Sequence, residues 1–224
     1  MPEATLLQQL PLFMAAVLLL NATPGVDLLL TVSRTAQSGV RAGIMAALGI
    51  NAGCALHALA AAFGLAALLA WSATAFTALK WAGAAYLLWL GLGMLHSAWR
   101  GPASPSAAAA AQPSTRMAPL VPTKATADFR RGLLTNLLNP KVALFMLAFL
   151  PQFIPAHSAH KTLAFLGLGL LFIVQSSVFL LAVVLLTARL SRLGALARSA
   201  RALQAAGGLL FVALAARLAT ARLD

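Results

Sequence analysis

Six apolar runs, each about as long as the roughly 20-residue helix that crosses a bilayer, dominate this chain. They lie near residues 12–33, 43–69, 75–98, 132–154, 163–188 and 203–221. Inside hydrocarbon every backbone N–H and C=O must be satisfied within the protein, and a helix does this within one segment. The sequence therefore predicts an all-α integral membrane protein. Only 9% of its residues are charged and 61% are hydrophobic, against about 25% charged in an average soluble domain. Six spans nearly use up the 224 residues and leave no length for a separate soluble catalytic domain.

The net charge of +12 suggests nucleic acid only until the bases are located. A nucleic-acid surface needs a solvated basic face with a stacking or groove-reading element. Here the bases fall between the apolar runs, as topology signals do. The first connection carries Arg34 and Arg41, the third Arg100, Arg116, Lys124, Arg130 and Arg131, and the fifth Arg189, Arg192, Arg198 and Arg201. The second, around Trp71-Ser-Ala-Thr, has none, and the fourth, around Pro155-Ala-His157, has only Lys161. The positive-inside rule then makes the odd connections cytoplasmic and both termini external, with Arg217 and Arg222 weakly opposed. Met1-Pro-Glu3 lacks the basic start of a signal peptide, so the first run is expected to remain as a span.

The connection at 101–128 is rich in Ala, Pro and Ser and reads as a flexible cytoplasmic linker between a half at 1–100 and a half at 129–224. Three spans per half is odd, so the second half enters the membrane in the opposite sense, giving two inverted three-helix repeats. Each half opens with a proline-broken run, at Thr23-Pro24-Gly25 and at Asn139-Pro140-Lys141. Thr and Asn are good N-caps and proline suits the first helical position, so both runs are expected to restart as half-helices. Their N–H groups near the midplane would then suit an anion such as a carboxylate.

Asp27 is the acid inside an apolar run, a placement that costs about 2.5–3.5 kcal/mol and usually faces a cavity, a partner or a transport path. Lys141, at the start of the other half-helix, sits where the helix dipole disfavours a cation and so asks for an anionic partner. Three readings stand open. The two residues lock spans one and four together, or Asp27 merely stabilises the first turn of its own half-helix, or they bind substrate and a coupling proton. Asn21, Asn136 and Asn139 are amides near the breaks, Asn139 as a cap and Asn136 freer to touch a ligand. Gln175, followed by Ser176 and Ser177 in span five, is a weaker candidate. Gly49 and Gly53 bracket Asn51 in a spacing that favours close helix approach.

Other chemistries lack their residues. The single cysteine, Cys54, excludes an intrachain disulfide or a dithiol redox pair. His57, His96, His157 and His160 form no cluster with metal-ligand spacing, and no cofactor is implied. Nucleophilic triads, paired carboxylates and phosphate-cradling glycine loops are absent, so the chain does not read as an enzyme. Efflux of a metal cation or other small solute is the alternative, and a second intramembrane acid or histidine ligand would favour it.

Several strings together resemble the LysE/RhtB family of amino-acid exporters. These are Pro24-Gly-Val-Asp27, Ser38-Gly-Val-Arg-Ala-Gly43, Ala47-Leu-Gly-Ile-Asn51, Lys80-Trp-Ala-Gly-Ala-Ala-Tyr-Leu-Leu-Trp-Leu-Gly91, Phe129-Arg-Arg-Gly-Leu-Leu-Thr-Asn-Leu-Leu-Asn-Pro-Lys141 and Phe149-Leu-Pro-Gln-Phe153. The likeness runs in order over about residues 10–221. It implies a multi-pass exporter of the bacterial inner membrane, homodimeric and driven by protons, that moves amino acids or close derivatives. The family's first motif is Pro-Gly-Pro-Asp, and Val26 here replaces its second proline. That softens the break and keeps Asp27.

Overall fold

The computed structural model describes the backbone of residues 3–71, 73–100, 124–154 and 160–190, with 209, 212, 213 and 216 as single positions. Every regular element among them is helical: α1 (Glu3–Ala22), α2 (Val26–Ser38), α3 (Val40–Trp71), α4 (Ala73–Arg100), α5 (Ala125–Leu137), α6 (Pro140–Phe149), a 3-10 turn at Leu150–Phe153, and α7 (Lys161–Leu190). Most of the linker, the connections near 155–159 and 191–201 and nearly all of the run at 203–221 lie outside the described residues. Within α3 and α7, Val40–Gly64 and Lys161–Arg189 are long and apolar enough to cross a bilayer. Two bent pairs pass the same test, Gln9–Ala22 with Val26–Ser38 at 55° and Ala125–Leu137 with Pro140–Phe153 at 52°. Up to four spans are therefore counted among the described residues.

Helices outrun the apolar strings that predicted them. Arg34 and Arg41, expected in a connection, lie inside α2 and α3, and Gly39 alone separates those helices. Gly39 turns this corner at φ +84°, in the left-handed region, and its N–H closes onto the Thr35 carbonyl. Ala125–Asp128, read as the end of the linker, form the first turn of α5 instead. An acid in that turn stabilises the helix start, which carries the helix beyond its apolar residues.

Apolar burial alone does not bring helices together in lipid, so small residues and close backbone contact carry much of the association. The α3–α5 contact is built this way. A Cβ on Gly49 would strike the Phe129 carbonyl, one on Gly132 the Ala46 carbonyl, and one on Gly53 the Asn136 side chain. The glycine pair noticed in the sequence is thus the α3 side of a seam whose α5 side is Gly132. Phenylalanines pack α1, α6 and α7 and the 3-10 turn together. Phe13 on α1 meets Phe153 edge-on at 5.2 Å, Phe153 meets Phe149 at 4.8 Å, and Phe145 lies 4.6 Å from Phe149 and 6.0 Å from Phe172 on α7.

Candidate functional site

Both breaks follow from what proline withholds. A proline has no N–H to give the carbonyl four residues earlier, so Pro24 orphans Leu20 and Pro140 orphans Asn136. Buried carbonyls need partners. The Lys141 ammonium donates to the Leu20 carbonyl at 2.6 Å and to the Thr23 carbonyl at 3.1 Å. The Asn136 carbonyl accepts the Asn139 N–H at 2.9 Å and lies 3.2 Å from His57 Nε2 on α3. Each break is thus repaired by a side chain from another part of the fold.

The second half-helix starts as its sequence predicts. Asn139 is the N-cap of α6, its Oδ1 accepting from the Lys141 N–H at 3.0 Å, with Pro140 next in line. The first does not. Gly25, with no side-chain cap, precedes Val26 as the first residue of α2. The Thr23 hydroxyl turns back to the Leu19 carbonyl, where it finishes α1 rather than capping α2. Pro24 and Gly25 then run between the two helices, because an extended Gly25 leaves the restart to the following residue.

Asp27, one residue into α2, faces the other break. Its Oδ2 accepts from Asn136 Nδ2 and Asn139 Nδ2, both at 2.9 Å. Its Oδ1 is buried and has no hydrogen-bond partner in the structure. Of the open readings, a direct hydrogen-bonded lock between Asp27 and Lys141 is not what these contacts make. Asp27 is held by two neutral amides and Lys141 by two carbonyls, because the orphaned Leu20 carbonyl attracts the ammonium. The Lys141 ammonium is thus held by main-chain carbonyls on α1 and at the break.

Asp27 and Lys141 line one cavity with Asn21, Asn139, Cys54 and Ser176. Its volume is about 20 Å³. That suits roughly one water molecule and falls far below the approximately 300–1,000 Å³ of a small-molecule pocket. Asn21 Nδ2 is buried without a partner, as is Asn136 Oδ1. Gln175 does not join them. Its amide donates to the Met14 carbonyl on α1 at 2.8 Å, and the next residue, Ser176, takes the cavity-facing position on α7. Among the described residues no three His, Cys, Asp or Glu side chains are grouped as a metal site.

Sequence reading treated Arg34 only as a topology signal and missed Asp128. Asp128 is 1% exposed and takes the Arg34 Nε at 2.7 Å, with Arg131 at 3.9 Å. Arg34 also reaches Ser38 at 3.0 Å and Gln37 at 3.5 Å. The available signal was scarcity, since the chain has four acids in all and this one lies three residues before Arg131.

Against known proteins, the model of the LysE type translocator family matches residues 18–222. An uncharacterized membrane protein of Pseudomonas aeruginosa is 36% identical over 202 residues, 90% of each chain. The homoserine/homoserine lactone efflux protein of Salmonella typhimurium is 32% identical over 204 residues, covering 91% of this chain and 92% of its own. Its counterpart in Salmonella typhi is 31% identical over the same shares. No solved structure matches the chain. With the helix-broken site and the family match spanning most of its length, this multi-pass membrane protein belongs to the LysE type translocator family.

Proposed function

We propose that this protein exports an amino acid or a close derivative across the bacterial inner membrane by proton antiport. Two inverted three-span halves, with both termini periplasmic and the chain paired as a homodimer, alternate access to a site at Asp27. Family membership and the efflux relatives support a transporter of amino-acid-like solutes rather than an enzyme. The observation that carries the site is the buried, unpartnered Oδ1 of Asp27, a residue that lines one cavity with Lys141. A buried carboxylate oxygen with no donor is suited to a proton or an ammonium group.

In this proposal the substrate's ammonium displaces a proton at Asp27, Asn136 and Asn139 hold the carboxylate in place, and the substrate's carboxylate lies toward Lys141. Proton and ammonium compete for one acid, which couples their movements. A proton entering an inside-negative cell contributes about 2.3 kcal/mol per 100 mV, nearly a fiftyfold gradient of substrate. The small cavity fits a shut site, so the halves must part to admit a substrate. Proteoliposomes test this directly, with homoserine as the first probe and a panel of amino acids behind it. An imposed proton gradient should drive the probe uphill in the wild type and fail to do so in Asp27→Asn. Proton-driven accumulation that survives the substitution would place coupling elsewhere.

A further inference from the structure

Two polar contacts tie the same pair of half-helices. Asp27 on α2 accepts from Asn136 on α5, and Arg34 on α2 donates to Asp128 on α5. Seven residues separate the two α2 members and eight the two α5 members, about two turns and roughly 10–12 Å along each axis. The two helices therefore run antiparallel and are pinned at both ends of one seam. One pin is at the break. The other lies at the end of α2 away from the break and in the first turn of α5, the side that the base-rich connections assign to the cytoplasm.

The far pin is a charged one. Asp128 is 1% exposed and Arg34 is 8% exposed, so opening the seam there separates two buried charges. Between the pins, Thr31 is fully buried on α2 and Gly132 is buried on α5, where it lies against α3. We propose that the Arg34–Asp128 pair is the cytoplasmic lock of the transport path, shutting the α2–α5 seam over Asp27. The lock rests on the proposed export only for what passes it. Because Asp27 keeps Asn136 on one oxygen while the other takes a ligand, the pin at the break stays made and the far pin is the one that yields. The seam then opens or stays shut according to one ion pair.

Cys54 is a native reporter. It is 1% exposed, free, and lines the cavity with Asp27. In inside-out vesicles, which present the cytoplasmic face, Arg34→Gln and Asp128→Asn should each raise the rate of Cys54 modification by a small impermeant thiol reagent about tenfold or more, as removal of one partner from a buried pair shifts the seam toward opening. Right-side-out vesicles should show no such rise. The exchange Arg34→Asp with Asp128→Arg should return the rate to near the wild-type value. Unchanged Cys54 reactivity in folded single variants overturns the lock. If the single variants do not fold, the exchange decides alone. A folded exchange with a protected Cys54 and restored export supports the lock, and an exchange that misfolds or leaves Cys54 reactive shows a fold support only and overturns it. Cys54 opening in variants of a protein that moves no amino acid would keep the lock and remove the substrate reading. Amino-acid export with indifferent Cys54 would do the reverse.

Discussion

Asp27 and Asp128 are two acids on facing half-helices, and they are treated in opposite ways. Asp128 is 1% exposed and meets a guanidinium at 2.7 Å, with a second one at 3.9 Å. Asp27 receives two neutral amides on one oxygen and nothing on the other, although that oxygen is buried. A buried acid with its cation in place has its charge answered within the fold. A buried acid with one oxygen lacking any donor keeps an open acceptor, which a mobile proton or ammonium can fill. Under the proposed function, Asp128 is then a tie and Asp27 a receiver.

Stability separates the two acids first. Asp128→Asn leaves Arg34 buried without its carboxylate and should cost about 3–5 kcal/mol of stability, read from unfolding of the purified protein in detergent. Asp27→Asn should cost almost nothing by the same measurement, because an amide oxygen still accepts from Asn136 and Asn139. Equal losses in the two variants would erase the distinction. Transport should then invert the ranking, with Asp27→Asn lowering proton-driven export about a hundredfold, near 2.7 kcal/mol in barrier terms. Export left within about twofold of wild type would remove Asp27 as the receiver.

Much of this geometry was legible from the residues. Pro24 and Pro140 mark the breaks because a missing N–H is a property of one residue, and Asn139 caps α6 because its oxygen is two residues from the N–H it takes. What fills an orphaned carbonyl is different. Lys141 reaches Leu20 across 121 positions and His57 reaches Asn136 across 79, and no local pattern encodes such distances. The same limit hid Asp128, whose partner lies 94 positions away. Gly49 and Gly53 announced a close contact without naming α5 as the helix that fills it. The late start of α2 at Val26 was missed because Thr23 had two carbonyl and amide options within reach, and took the one behind it.

A third test asks whether Lys141 belongs with the tie or with the receiver. Its ammonium repairs the α1 break through Leu20 and Thr23, so Lys141→Met should cost about 1.5–3 kcal/mol, the range for hydrogen bonds to a charged group. The double exchange Asp27→Lys with Lys141→Asp should restore neither stability nor export. A carboxylate at 141 would face the two carbonyls that the ammonium now satisfies, and a lysine at 27 would present donors to the Asn136 and Asn139 amides. Recovery of transport in that exchange would show the two charges to be a simple interchangeable pair.

The smallest effect separates two duties of one side chain. Asn139 caps α6 through Oδ1 and holds Asp27 through Nδ2, at 3.0 Å and 2.9 Å. Asn139→Ala loses both, and the cap alone should cost about 1 kcal/mol of stability. Asn139→Ser keeps a capping oxygen and loses the amide donor, so it should regain the capping share of about 1 kcal/mol over Asn139→Ala while export stays lowered. The serine hydroxyl cannot cap the Lys141 N–H and reach Asp27 as the longer amide does, which leaves Oδ2 with Asn136 alone. If export in the serine variant tracks stability and both remain near wild type, the second amide is not needed to hold the carboxylate. Asn136 alone would then suffice to hold the Asp27 Oδ2.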